Sequence, residues 1–114
     1  MRIINPTQKT VIAENFKIAD TFFSRFIGLL NRRSLESGEA LIITRCQSIH
    51  MFFMRFTIDA VFIDRNDKVV GLVERIKPWR LSPVFFKADR VIELPEGVID
   101  LSKTSLGDQL IIKE

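Results

Sequence analysis

The chain has 114 residues, of which 46% are hydrophobic and 27% are charged, and its formal net charge is +3. This length fits a single domain, which we place at residues 1–114. The apolar fraction suffices for a hydrophobic core and excludes disorder over most of the chain. The longest stretch without charge, residues 46–54, is far shorter than the roughly 20 residues that span a membrane, so we expect no membrane partner.

The cysteine content and the charge distribution indicate the cellular compartment and whether the protein binds nucleic acid. The N-terminal residues lack the apolar core of a secretory signal, and the single cysteine excludes an intramolecular disulfide, so we expect a cytoplasmic protein. Residues 65–90 carry seven basic and three acidic side chains, which is typical of a solvated face. Nucleic-acid binding is not expected, because such proteins concentrate more positive charge and the ten phenylalanines suit a core better than base stacking.

The first half of the chain predicts two strands and one helix. The β-branched run at 10–12 indicates a strand near residues 9–16. Residues 20–31 predict a helix that buries one apolar face, formed by Phe23, Phe26, Ile27 and Leu30. Gly28 lies inside this helix, where glycine costs about 1 kcal/mol relative to alanine, so we expect another backbone to pack closely there. Residues 40–44 predict a short apolar strand.

The second half predicts a hairpin, two further strands and a helical turn. Residues 57–64 are rich in β-branched and aromatic residues, and they form a hairpin with a return strand at 69–74. Strands are also expected at 88–94 and 109–113, with a short helical turn at 98–104.

The order of these elements indicates the fold class. Because the helices do not alternate regularly with the six or seven strands, a doubly wound parallel sheet is not expected. We predict a β-rich α+β fold with a mainly antiparallel, curled or barrel-like sheet and one or two short helices packed on it.

The segment between the strands at 40–44 and 57–64 combines rare residue types. It holds the only cysteine, Cys46, and the only histidine, His50, together with two methionines. A soft metal ion and a Cys46–His50 nucleophile pair are both chemically possible, but core packing is the simpler interpretation. One cysteine and one histidine cannot form a closed zinc site, and we predict no metal or cofactor. Since neither hydrophobic period appears, we expect an irregular loop at a pocket rim, with His50 and Arg55 facing the pocket.

Asp59 is a charged residue within the most apolar strand. Strand alternation places Thr57, Asp59, Val61 and Ile63 on one face. A buried carboxylate has to be paired or hydrogen-bonded. We therefore predict that Asp59 is buried and accepts hydrogen bonds from backbone or from an arginine such as Arg25 or Arg55.

The middle of the chain contains the run SIHMFFMRFTIDAVFID, followed by a short loop and KVVGLV. This segment resembles the signature of the uncharacterised bacterial and archaeal family called domain of unknown function 192. Upstream, the residues similar to that family's helix segment are Ala19, Thr21, Arg25, Gly28, Leu29 and Arg32. Downstream, the similar residues are Pro78-Trp79-Arg80, residues 91–97 and Leu106-Gly107-Asp108. The resemblance covers residues 17–112 and implies a compact β-rich domain with a helix, but it implies no activity.

Two functions of different class remain open. The first is a module that binds a small ligand or a partner protein through a polar pocket near Cys46–Asp59. Its candidate binding residues are Arg25, His50, Arg55, Asp59, Trp79 and Glu93. The alternative is an enzyme that uses Cys46 with His50, or Asp59 with Glu93 as paired carboxylates. Rapid alkylation of Cys46 would favour the enzyme.

Overall fold

Eight strands and two short helices make up the described part of the chain. A computed structural model describes residues 1–27, 29–30 and 32–114, without the side chains of Phe22, Phe23 and Phe26. The strands are β1 (Arg2–Asn5), β2 (Thr10–Ala13), β3 (Asn15–Ala19), β4 (Glu39–Thr44), β5 (Ile58–Ile63), β6 (Val69–Ile76), β7 (Arg90–Pro95) and β8 (Ile111–Lys113). The helices are α1 (Phe22–Ile27) and α2 (Val98–Ser102). Neither is long and apolar enough to cross a membrane.

The strands form two sheets. One has three strands in the order β2-β1-β8, and the other has five in the order β3-β4-β7-β5-β6. Every named pair is antiparallel except β3 with β4, which run parallel and are joined by the segment that contains α1. The predicted β-rich α+β class with a curled, mainly antiparallel sheet is confirmed. The sheets do not close into a barrel.

Several element boundaries differ from the sequence prediction. The strand expected near 9–16 is two strands, β2 and β3, which belong to different sheets. β1 was not predicted, because its four residues show no long pattern and its pairing with β2 and β8 is decided by tertiary contact. The predicted helix is observed over Phe22–Ile27. The expected close contact at Gly28 and the burial of Phe23 and Phe26 lie outside the described residues.

Both faces of the five-stranded sheet are covered by apolar side chains. The inner core lies between the two sheets and includes Ile3, Phe16, Ile42, Val61, Ile92 and Leu94. The loop-side core lies on the opposite face, where Ile43, Ala60, Phe62 and Val91 meet Ile49, Met51 and Met54. All six residues of β5 are consequently buried.

Two long loops cover the loop-side face, and we call residues 45–57 and 77–89 the loop layer. Backbone hydrogen bonds join the two loops: the Met51 amide donates to the Arg80 carbonyl at 2.8 Å, and the Trp79 amide donates to the Met51 carbonyl at 2.8 Å. The Phe85 ring lies 4.5 Å from the Phe62 ring. It also covers Gly71, where an added Cβ would lie 2.4 Å from the ring. The loop layer is therefore hydrogen-bonded within itself and packed on the sheet.

Asp59 connects the central strand to two neighbouring segments on the inner-core side. The side chain is fully buried. Its Oδ1 accepts a hydrogen bond from the Arg75 amide at 2.8 Å, and its Oδ2 accepts from the Gly97 and Ile99 amides at 3.1 and 2.9 Å. The predicted burial and hydrogen bonding of Asp59 are confirmed, with backbone amides as the donors rather than Arg25 or Arg55.

Replacing Asp59 tests this connection. Asp59→Ala leaves three backbone N–H groups without an acceptor, so we expect the free energy of unfolding to fall by about 1–3 kcal/mol. Urea denaturation measures the change. Asp64→Ala is the matched control, because Asp64 also accepts two backbone hydrogen bonds but lies in the exposed hairpin loop. Equal unfolding midpoints for wild type and Asp59→Ala would contradict a structural role for Asp59.

Candidate functional site

A cavity of about 320 Å³ lies on the loop-side face, between the five-stranded sheet, α1 and the first loop of the loop layer. Its apolar wall is formed by Leu29, Leu30, Ile43, Ile49 and Met54. Its polar and charged groups include Arg25, Arg45, Cys46, His50 and Glu93. A second depression beside the β5–β6 hairpin is larger, about 670 Å³, but its charged lining residues, such as Arg65 and Lys87, lie at the surface.

Glu93 is the buried polar group of the cavity. It lies in the central strand β7, between Leu41 of β4 and Ala60 of β5, and strand alternation directs it to the loop-side face with Val91. The residue is only 6% exposed. Burial raises the pKa of Glu93 to about 7, and no described residue offers its carboxyl a hydrogen bond or an ion pair that would oppose this. Near neutral pH the carboxyl can therefore either donate or accept a hydrogen bond.

Cys46 follows β4 at the side of the cavity. Its Sγ donates to the Ser48 carbonyl at 3.0 Å. Burial is the largest influence and raises the pKa of the Cys46 thiol, whereas the backbone hydrogen bond with Ser48 lowers it. The nearby Glu93 carboxylate also raises this pKa, and Arg25 acts in the opposite direction. The thiol accordingly stays protonated near neutral pH and is a weak nucleophile.

His50 lies at the mouth of the cavity, on the exposed side of the loop layer. Its Nδ1 accepts a hydrogen bond from the Phe52 amide at 3.3 Å, and its ring stacks on Phe52 with centroids 5.2 Å apart. Cys46 gives its S–H to a backbone carbonyl instead of to His50. The structure thus places the two residues around one cavity without forming a nucleophile pair.

Two arginines bring positive charge to the cavity. Arg45 Nη2 donates to the Asp20 carbonyl at 3.2 Å, which holds this side chain against the start of α1. Arg25 extends from α1 and is half-buried. Among the described side chains, no carboxylate lies within 4.0 Å of the Arg25 guanidinium. Arg25 and Glu93 therefore share the cavity without contacting each other.

Of the six candidate residues, Arg25, His50 and Glu93 line the cavity and the other three lie elsewhere. Asp59 pairs with Leu94, whereas Glu93 pairs with Ala60, so the two carboxyl groups point to opposite faces of the sheet. This register does not form the paired carboxylates considered for an enzyme. Arg55 is exposed and lies outside the cavity lining, in contrast to the expectation that it faces the pocket.

Trp79 lies on the outer surface and is 59% exposed. Its ring centroid is 4.9 Å from that of Phe53 and 6.1 Å from that of Phe52. The candidate Trp79 therefore belongs to an external aromatic cluster, and aliphatic side chains form most of the cavity wall. Sequence reasoning missed that wall because Leu29, Ile43 and Met54 have the pattern of ordinary core residues.

The described residues offer little to hold a metal ion. No three histidine, cysteine, aspartate or glutamate side chains cluster anywhere in residues 1–27, 29–30 and 32–114. What the cavity can do chemically therefore depends on its arginines, the thiol, the imidazole and the Glu93 carboxyl.

The family is shown by the match between the chain and a family model. The model of DUF192, described as an uncharacterized ACR, matches residues 3–112. A UPF0127 protein of Thermococcus sibiricus is 41% identical over 112 residues, which are 95% of this chain and 72% of that protein. A UPF0127 protein of Pyrococcus furiosus is 34% identical over 95% of both chains. The chain belongs to this uncharacterised family, and the resemblance found in the sequence is confirmed.

Two solved structures share the fold. A protein of unknown function from Novosphingobium aromaticivorans aligns with a TM-score of 0.77 and 19% identity, over 85% of this chain and 74% of that one. A Sinorhizobium meliloti protein, described provisionally as a transcription regulator, aligns with a TM-score of 0.81 and 21% identity, over 96% of this chain and 89% of that one. At these identities the likeness shows the fold alone.

The buried carboxyl predicts how stability depends on pH. The pKa of Glu93 is about 7 in the folded protein against an ordinary value of 4.5, so the folded state retains the proton to higher pH. The resulting stabilisation is fully present below about pH 4.5 and is lost as the pH rises to about 7, a change of about 3 kcal/mol. Urea denaturation at several pH values measures it. Glu93→Gln should remove this component, and an unchanged pH profile in that variant would contradict the assignment.

The alkylation rate of Cys46 tests whether Glu93 acts on the thiol. We expect iodoacetamide to alkylate Cys46 more slowly in the folded protein than in the urea-unfolded chain, because burial keeps the thiol protonated. Glu93→Gln should accelerate the folded-state reaction, since it removes a negative charge that raises the thiol pKa. Glu96→Gln, at an exposed position just beyond β7, is the control and should not change the rate. Equal rates in both variants would show that Glu93 does not act on Cys46.

Proposed function

We propose that this protein is a small-ligand-binding module and that its binding site is the cavity in front of Glu93. The observation that carries the proposal is the buried Glu93 carboxyl, which lines a mostly apolar cavity and lacks a hydrogen-bond partner among the described residues. Ligand sites are typically cavities of about 300–1,000 Å³ with apolar walls and a few polar groups that fix orientation. The cavity has this size and composition.

Energetics also favours a ligand role for Glu93. Burial disfavours the charged form of the Glu93 carboxyl, and an apolar residue at the same position would avoid that cost. The neighbouring strand positions that face the loop-side core are Ala60, Phe62 and Val91, all apolar. Groups with strongly shifted pKa values inside clefts are candidates for function, because a bound molecule can supply the missing partner.

Asp59 provides the internal comparison. It lies on the adjacent strand and is fully buried, but three backbone amides satisfy its oxygens. The fold can therefore satisfy a buried carboxylate where that group is structural. The absence of such donors around Glu93, within the described part of the chain, supports a role outside folding.

An enzyme that uses Glu93 as a general acid or base is the second candidate. A carboxyl with a pKa of about 7 is suited to proton transfer near neutral pH. A Cys46 nucleophile is less well supported, because burial raises the thiol pKa and the S–H group is bonded to a backbone carbonyl. Binding without chemistry requires only the groups already present, and we favour it.

The proposed partner is a small molecule rather than a nucleic acid or a membrane. A cavity enclosed by α1 and the loop layer suits a small molecule, whereas nucleic-acid recognition relies on extended basic surface. A cytoplasmic location remains an expectation from the sequence.

A fragment screen followed by NMR mapping tests the proposal. We expect bound fragments to shift the resonances of His50 and of the methyl groups of Ile43 and Met54, because these groups line the cavity. Ser48→Trp should reduce binding at least tenfold, since Ser48 is an exposed residue at the cavity mouth where an indole would fill the opening.

The control for this experiment is Trp79→Ala, which alters the external aromatic cluster and leaves the cavity lining intact. Binding that survives Ser48→Trp but is lost in Trp79→Ala would place the site on the outer surface. That result would overturn the proposal.

A further inference from the structure

The charges of the cavity restrict which small molecule can bind there. Arg25 and Glu93 both line it, and both act on the pKa of the same thiol, Cys46, so both lie within electrostatic range of one part of the cavity. Within the described residues, the two charged groups are not paired with each other, and Glu93 has no other hydrogen-bond partner. A ligand in this cavity would therefore meet both a carboxyl and a guanidinium.

This arrangement disfavours molecules with a single charge. An organic cation would interact well with ionised Glu93 but would be repelled by Arg25 and Arg45. An anion would pair with the guanidinium groups but would meet the Glu93 carboxylate. A zwitterion complements both ends, and its net charge of zero lowers the cost of entering a partly apolar site.

The aliphatic wall of the cavity favours a ligand that also has an apolar part. Leu29, Ile43, Ile49 and Met54 present aliphatic surface to the cavity. The volume of about 320 Å³ lies at the lower end of the range of about 300–1,000 Å³ for ligand sites, which favours a small ligand. A free amino acid with an aliphatic side chain fits within this volume and has both charges and an apolar body.

We propose that the cavity binds an apolar α-amino acid, with the ammonium group hydrogen-bonded to Glu93, the carboxylate held by Arg25 and the side chain packed on the aliphatic wall. This inference rests on the proposed function and specifies its ligand class. Arginine is suited to the carboxylate end, because its planar guanidinium can donate two parallel hydrogen bonds to one carboxylate.

Ligand truncation combined with two variants tests the assignment. The probes are L-leucine, 3-methylbutylamine, which lacks the carboxylate, 4-methylpentanoate, which lacks the ammonium, and 3-methylbutanol, which lacks both. We expect leucine to bind at least about tenfold more tightly than each truncated probe, which is the loss expected for one hydrogen bond to a charged group. Calorimetry or NMR titration measures each dissociation constant.

The variants assign each end of the ligand. Glu93→Gln should weaken leucine binding about tenfold or more and should leave 4-methylpentanoate binding unchanged or stronger. Arg25→Gln should weaken leucine and 4-methylpentanoate but spare 3-methylbutylamine. Arg33→Gln is the control, because Arg33 is exposed and is not part of the cavity lining. Thermal unfolding of each variant shows whether it remains folded.

The outcomes separate this inference from the proposed function. If 3-methylbutanol binds as tightly as leucine and shifts the same cavity resonances, the cavity is a ligand site but the zwitterion assignment is wrong. If leucine binds equally to wild type, Glu93→Gln and Arg25→Gln, the assignment is also wrong. If none of the four probes binds wild type at millimolar concentration, the amino-acid class is excluded, and the fragment screen then decides whether the cavity binds any small molecule.

Discussion

The rest of the structure depends on the coverage of β5 and β7 on both faces. These strands lie at the centre of the five-stranded sheet, with the three-stranded sheet and α2 on one side and the loop layer on the other. A polar side chain in the middle of either strand is largely removed from water whichever way it points. The chain carries one carboxylate on each strand, Asp59 and Glu93, and the register sends them to opposite faces. The two groups have different surroundings, because backbone amides bind Asp59 whereas Glu93 lines a cavity.

On the inner side, three amides converge on Asp59, which thereby connects β5 to β6 and to the start of α2. On the loop side, Glu93 meets aliphatic side chains, a protonated thiol and a cavity. Because the loop layer is fastened by its own backbone hydrogen bonds, the cavity does not need contacts from Glu93 to keep its shape. A rigid sheet beneath and loops above are the usual way in which proteins hold binding groups in position.

Much of the fold could be read from local pattern. The hairpin of β5 and β6, the strands β4 and β7 and the short helix α2 each have a sequence signal close to where they occur. The burial of Asp59 also followed from its apolar neighbours. The division of residues 9–19 into β2 and β3 did not, because the two strands have similar composition and differ only in the sheet with which they pair. Part of the candidate site was identified as well, since Arg25, His50 and Glu93 share the cavity while Arg55 and Trp79 lie outside it.

The sequence by itself determined the fold class, the family, the central apolar strands and the presence of charged residues that the core would have to accommodate. The family follows from a resemblance to its motifs, and the other properties depend on composition and short-range periodicity, which are local. Tertiary structure alone decided which carboxylate is satisfied and which one lines a cavity. That outcome depends on strand register, since a shift of one residue between β5 and β7 would pair Asp59 with Glu93 and place both carboxylates on the same face. Register is fixed by pairing between strands such as β4 and β7, which lie far apart in the chain, so no local pattern contains it.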